Sequence, residues 1–159
     1  MTLFYFGQTL SAGYNSFEAF NFGETAMKEK IPTIVRVILG LIFVTFGLNG
    51  FLNFIPMPPP PPEAGSFMIS LAASKYFLPV LKLTEIICGI AFLSGMFVPL
   101  ALVVLAPISI QILLFHIFLA PGLQGMVMAI FIIAANIFLG YAYRESFKGV
   151  LNMTAKARL

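Results

Sequence analysis

The chain has 159 residues, of which 60% are hydrophobic and only 9% are charged, with a formal net charge of +3. Soluble domains carry about 25% charged residues. This composition therefore excludes an ordinary soluble protein and predicts one that lies in the lipid bilayer and has no nucleic-acid partner.

Residues 1–26 form an extension before the first apolar segment, and Met27 begins the stretch MKEKIPTIVRV. The extension contains no Lys or Arg, so it lacks the basic start of a signal peptide. It is also too polar to cross a bilayer. Two interpretations remain open: an interfacial tail, or an aromatic-rich arm that packs on a partner subunit.

Four apolar segments follow, each close to the roughly 20 residues that a helix needs to cross a hydrocarbon core of about 30 Å. Backbone groups in lipid have no water to bind, so these segments must be helical. The predicted fold class is all-α: an integral membrane four-helix bundle within residues 27–151, followed by a basic C-terminal tail at 152–159. The predicted spans are 33–55, 77–97, 98–119 and 125–143.

Prolines mark the boundaries of the spans. The run at 58–62 follows the first span and predicts a short polyproline II rod. Residues 64–75 come next and predict a short helix on the membrane surface, with Phe67, Met68 and Leu71 turned inward. Pro107 lies inside the third span, where it predicts a kink.

The basic residues predict the orientation in the membrane. The loops at 56–67 and 120–124 contain no Lys or Arg. By the positive-inside rule both termini are cytoplasmic, and an even number of crossings also requires both termini on one side. Of the nine basic residues, seven lie near the two ends of the chain: Lys28, Lys30, Arg36, Arg144, Lys148, Lys156 and Arg158.

The reactive residues limit the possible chemistry. Cys88 is the only cysteine and His116 the only histidine, which excludes an intramolecular disulfide and leaves too few ligands for a metal site. Nucleotide-binding and metalloprotease motifs are also missing. We therefore expect no catalytic residue and no metal, and we expect that the chain is not an enzyme by itself.

The polar residues inside the spans are the candidate ligand-binding residues. Counted at 1.5 Å per residue from the outer ends, they lie roughly 5 to 16 Å deep, in the outer half of the membrane or near its middle. His116 is shallowest and Asn136 deepest, whereas Gln111 and His116 point about 140° apart on one helix. The candidates are Asn49, Lys82, Glu85, Gln111, His116 and Asn136.

Glu85 allows two interpretations. A carboxylate near the middle of the bilayer costs about 2.5–3.5 kcal/mol even on the lenient insertion scale, so it needs a partner, hydrogen bonds or a proton. Lys82 lies one turn away and can reach it. Glu85 is either part of a polar staple between spans, or it lines a small pocket that opens toward the outer leaflet.

Several stretches resemble the DoxX family. RVILGLIFVTFGLNGFLNFIPMPP resembles the first helix of that family, and FLPVLKLTEIICGIAFLSGMFVPLALVVLAPI its second and third. LLFHIFL and GYAYRESFKGVL resemble the ends of the third and fourth helices, so the likeness covers roughly residues 30–151. The resemblance implies that Arg36, Gly40, Asn49, Glu85 and His116 are family positions.

The resemblance also implies a function. The family is named after a subunit associated with an archaeal quinol oxidase and thiosulfate:quinone oxidoreductase system. We expect a non-catalytic accessory subunit of a larger complex in the bacterial cytoplasmic (inner) membrane, with a respiratory complex as the first candidate. Residues 1–26 are a candidate contact with the other subunits. The alternative is a binding protein with a quinone- or lipid-like ligand in the polar pocket of the outer half of the bundle. We expect no cofactor other than this candidate quinone.

Overall fold

The computed structural model describes residues 30–56 and 58–147. The predicted extension at 1–26 and the predicted tail at 152–159 lie outside the described residues. Contacts divide the chain into two units after Ile34. Residues 30–34 begin the first helix and are the described part of the N-terminal unit; the unit from Val35 onward holds the remaining described structure.

The described residues are helical and contain no strand. The helices are α1 (Lys30–Leu52), α2 (Pro62–Ala73), α3 (Phe77–Ser94), α4 (Val98–Phe118) and α5 (Leu123–Ala142), followed by a 3₁₀ turn at Arg144–Phe147. Four of them, α1, α3, α4 and α5, are long and apolar enough to cross a membrane. The all-α fold with four spans is thereby confirmed, whereas the side on which the termini lie stays a prediction.

All four spans end earlier than the sequence predicts, α1 and α3 by three residues and α4 and α5 by one. α1 ends at Leu52, because Asn53 adopts φ 49° and the chain leaves the helix there. α3 ends at Ser94, because Gly95 takes φ 77° and its N–H bonds to the Ala91 carbonyl, a common way to terminate a helix. α4 is helical on both sides of Pro107, and the kink there stays a prediction.

α2 is the short helix that the sequence predicts after the proline run. Pro62 is its first residue, where a missing backbone N–H costs nothing. Phe67 is half-buried, and its ring centroid lies 6.1 Å from that of Phe115 on α4. Met68 is exposed, so of the predicted inward residues it is the one that faces outward.

Glycines allow α1 and α3 to touch through their backbones. A Cβ atom on Gly89 would lie 2.9 Å from the Val44 nitrogen and 3.0 Å from the Gly40 oxygen. A Cβ atom on Gly40 would in turn lie 2.9 Å from the Gly89 oxygen. Small residues at such crossings let van der Waals packing replace the hydrophobic driving force that lipid removes.

One apolar core fills the centre of the unit from Val35 onward. Its buried members come from all four spans, and the outward faces of the same helices are almost entirely apolar, as expected where lipid is the solvent. The core residues are Leu39, Phe43, Cys88, Phe92, Val98, Ala101, Leu102, Leu105, Ile132, Ala135 and Leu139.

The glycine contact gives a test with a matched control. Gly89→Ala must push α1 and α3 apart, because the contacting atoms belong largely to backbone. At Gly140 on α5 nothing lies within 4 Å of an added Cβ, so Gly140→Ala gains only the higher helix propensity of alanine. We expect Gly89→Ala to destabilise by about 1–3 kcal/mol and Gly140→Ala to be neutral or stabilising, measured by unfolding in detergent micelles. Equal effects of the two changes would contradict the close approach.

Candidate functional site

Lys82 and Glu85 form an ion pair within α3. Lys82 Nζ donates a hydrogen bond of 2.8 Å to Glu85 Oε2. The Glu85 side chain is 4% exposed, whereas that of Lys82 is 24% exposed. The carboxylate is thus inside the bundle, and the ammonium reaches it from near the surface. The predicted pairing is therefore present.

Glycines on α1 make room for the Lys82 side chain. A Cβ atom on Gly50 would come within 2.6 Å of the Lys82 Cγ and Cδ atoms. A Cβ atom on Gly47 would lie 3.1 Å from the Lys82 carbonyl oxygen. The aliphatic stem of Lys82 therefore lies across α1, and this position directs the ammonium group back toward Glu85.

Asn49 has a local structural role. Its side chain is buried, and its Oδ1 accepts a 2.7 Å hydrogen bond from the Ile55 backbone N–H, beyond the end of α1. The Asn49 carbonyl also accepts a 2.9 Å bond from the Asn53 N–H. Asn49 thus holds the chain as it leaves the helix, and no hydrogen bond among the described residues joins it to Glu85.

Asn136 pairs with a residue that the sequence analysis did not select. Asn136 Nδ2 donates a 3.1 Å hydrogen bond to Ser109 Oγ, and Ser109 Oγ donates to the Leu105 carbonyl at 2.8 Å. Both side chains are buried between α4 and α5. Ser109 lies two turns before His116 and therefore on the same face of α4, and this alignment was the signal available in the sequence. The sequence does not show, however, which face of α4 meets α5.

His116 lies at the other end of the same helix interface. Its Nδ1 donates to the Ile112 carbonyl at 2.8 Å, and its ring lies edge-on to Phe115 with centroids 5.4 Å apart. The ring also packs against Gly125 in the first turn of α5, where an added Cβ would collide with it. His116 is therefore fixed against α5 and shares no hydrogen bond with Asn136 or Glu85 among the described residues.

Gln111 differs from the other candidates because it is exposed on α4. No hydrogen bond joins its amide to any described residue. The structure thus separates the predicted site: Lys82 with Glu85, Asn49 with its loop, Asn136 with Ser109, His116 against α5, and Gln111 facing outward.

Two cavities open on the unit that begins at Val35. The larger is an open groove of about 640 Å³, lined by Ile42 of α1 and five residues of α5: Leu123, Gln124, Val127, Met128 and Phe131. The smaller, about 230 Å³, lies between α1, α2 and α3 and is lined by Gly50, Phe51, Ala72, Lys75, Leu78, Pro79 and Lys82. Lys82 is the one predicted site residue that lines either of them.

The arrangement suits stabilisation and binding more directly than proton transfer. Each buried polar side chain described above has a partner on its own helix, its own loop or a neighbouring helix, as a low-dielectric interior requires. In the described part of the chain, no three His, Cys, Asp or Glu side chains are grouped so that they could hold a metal ion.

The ion pair predicts an unequal response to mutation. Lys82→Met leaves the Glu85 carboxylate buried alone, and breaking a buried pair from one side costs about 3–5 kcal/mol. The double variant Lys82→Met/Glu85→Leu removes both charges, so we expect it to recover most of that loss. The free energy of unfolding in mixed micelles measures both. A double variant as unstable as Lys82→Met would show that the pair is not the cause.

The comparisons with known proteins place the chain in a family. The family model described as DoxX matches residues 31–117, which run from the start of α1 into the last turn of α4 and make up more than half of the chain. The match does not extend over α5. Comparison with curated proteins and with solved structures gave no match. The four apolar spans agree with the membrane bundle expected from the resemblance, and the chain belongs to the DoxX family.

Proposed function

We propose that this chain is a non-catalytic accessory subunit that binds other membrane proteins through the outward face of α4. The observation that supports the proposal is Gln111, a primary amide exposed in the membrane-spanning part of that helix.

Gln111 lies too deep for water to satisfy it. It is seven residues from the end of α4, which places it about 10 Å inside the span at 1.5 Å per residue. In hydrocarbon the two N–H donors and the carbonyl acceptor of the amide have no partners, and each unsatisfied group costs several kcal/mol. Glutamine amides hydrogen-bond across helices in membranes, so a partner helix at this point would remove the penalty.

The residues around Gln111 form a continuous face. Their spacings alternate between four and three residues, and all are exposed: Leu100, Val104, Pro107, Gln111, Leu114 and Phe118. That repeat suits left-handed packing of two helices. Any outward face of a helix has a similar period, so the amide, rather than the spacing, distinguishes this one from the other lipid-facing surfaces.

The proposed assembly is a larger complex in the bacterial cytoplasmic membrane, and a respiratory, quinone-dependent oxidoreductase is the first candidate. In such an assembly the partner subunits supply the redox chemistry. The arm at 1–26 is a second proposed contact with those subunits, and it lies outside the described residues.

A second proposal is a quinone- or lipid-like ligand, and the groove between α1 and α5 supports it. The groove is about 640 Å³ in volume, within the range of small-molecule sites. Its walls are apolar apart from Gln124, so they suit an isoprenoid or acyl tail. We therefore propose that the ligand binds beside α5 rather than against Glu85.

The accessory role is tested by Gln111→Leu. The full chain is extracted from its native membrane in mild detergent, and the size of its complex is measured. We expect a complex larger than the monomer for the original protein. We expect at least partial dissociation for Gln111→Leu, because leucine has no amide to hydrogen-bond across the interface. Gln124→Leu makes the same change at an exposed position in the first turn of α5 and should leave the complex intact. A monomer before any substitution would overturn the proposal.

The groove is tested by fluorescence, since the chain contains no Trp. Val127→Trp places a reporter in the groove, and Ile130→Trp places one on the exposed face of α5 outside the lining residues. We expect a short-chain ubiquinone to quench Val127→Trp with saturation and Ile130→Trp only in proportion to its concentration. Identical quenching curves would count against a bound ligand.

A further inference from the structure

The smaller cavity has a feature that the proposed function does not use. It opens at the end of the bundle where α1 ends and α3 begins, with α2 as its third wall. Two of its lining residues are lysines, Lys75 and Lys82. The others present apolar side chains or a glycine: Gly50, Phe51, Ala72, Leu78 and Pro79.

These lysines are unusual in their position along the chain. Seven of the nine basic residues lie near the two ends of the sequence, which the positive-inside rule predicts on the opposite side of the membrane. The remaining two are Lys75 and Lys82, and both line this one cavity. Basic residues are rare on the side away from the termini, so their meeting in one cavity indicates a shared role.

The cavity carries a net positive charge. Lys82 donates one ammonium N–H to Glu85 in a hydrogen bond, which leaves two N–H donors free for a ligand. The formal charges of Lys75, Lys82 and Glu85 sum to +1. Lys75 has no ion pair among the described residues. A single negative charge in the cavity would therefore be matched.

The backbone around Lys75 is held in place. Lys75 adopts φ 63°, a conformation that few residues other than glycine and asparagine favour. Its N–H bonds to the Ala72 carbonyl at 3.0 Å, and Ser74 Oγ accepts a 3.2 Å bond from the Phe77 N–H. This turn fixes the starting point of the Lys75 side chain at the rim of the cavity.

Size and depth fit a lipid headgroup. The volume of about 230 Å³ is smaller than the roughly 300–1,000 Å³ of small-molecule pockets, so it suits a headgroup rather than a whole ligand. Lys82 lies about 7 Å beyond the start of α3, at 1.5 Å per residue, and Lys75 lies just before that start. By this count we expect the cavity near the level at which phosphates meet hydrocarbon, and its apolar walls suit the adjoining glycerol and acyl carbons.

We propose that this cavity binds the phosphodiester of an anionic phospholipid, with Lys75 and Lys82 as its cationic contacts. A phospholipid with net charge −1 matches the net charge of the site, whereas the choline or ethanolamine ammonium of a zwitterionic lipid brings a third cation toward the two lysines. Basic pockets between transmembrane helices recognise lipid headgroups in this way. The inference does not depend on the accessory role.

The experiment uses the full chain in a neutral detergent, titrated with phosphatidylglycerol, phosphatidylcholine or inorganic phosphate. The thermal unfolding midpoint reports binding, because a ligand of the folded state raises it. Lys75→Asn removes the charge while tolerating the left-handed backbone, and Lys75→Arg keeps the charge. Arg144→Gln removes one charge at an exposed position in the 3₁₀ turn that follows α5, and Arg144 does not line the cavity.

We expect phosphatidylglycerol to bind more tightly than phosphatidylcholine, and Lys75→Asn to weaken it about fivefold. Lys75→Arg and Arg144→Gln should bind as the original chain does. Unchanged phosphatidylglycerol binding by Lys75→Asn, or equal binding of the two lipids, would overturn the proposal. If inorganic phosphate alone gave the full Lys75-dependent shift and the lipid added nothing, the lipid assignment would be wrong.

Discussion

The constraint on which this structure depends is that hydrocarbon offers no hydrogen bonds, so every polar side chain in the bundle needs a partner within reach. Three buried side chains meet it locally. Glu85 takes Lys82 from its own helix, Asn49 takes a backbone N–H from the loop that follows its helix, and Asn136 takes Ser109 from the adjacent helix. The polar groups therefore form separate small clusters among the described residues, and Gln111 is the candidate left facing outward.

Helix packing and the ion pair are linked through the glycines of α1. The approach of α1 to α3 brings Gly50 against the Lys82 stem and Gly47 against the Lys82 backbone. A larger residue at Gly50 would have to displace that stem, and with it the hydrogen bond to Glu85. The same contact forms one wall of the smaller cavity, since Gly50 and Phe51 line it with Lys82. Packing, charge pairing and cavity thus share one set of atoms.

Sequence was sufficient for features that follow from length, hydropathy and spacing. The four spans follow from apolar segments of the right length, and the Lys82–Glu85 pair from a separation of three residues on a helix. What sequence could not supply was the rotation of each helix about its axis. The sequence left open whether Gln111 faces the bundle or the lipid, because apolar residues surround it on every side of α4. The early end of α1 depends on the left-handed backbone of Asn53, a residue type that can end a helix in this way but does not always do so.

The prolines between α1 and α2 have a geometric consequence. At one end of this connection the Ile55 N–H donates a hydrogen bond to Asn49 Oδ1. At the other end the chain enters α2 at Pro62, and the preceding Pro61 has φ −51° and ψ 153°. Those angles are extended, and each residue in such a conformation adds about 3 Å of length. Because α2 supplies Ala72 to one wall and holds Phe67 against Phe115, adding or deleting a proline would change how far that wall stands from α1. The length of this connection therefore limits how far α2, and with it the Ala72 wall of the lysine-lined cavity, can stand from the end of α1.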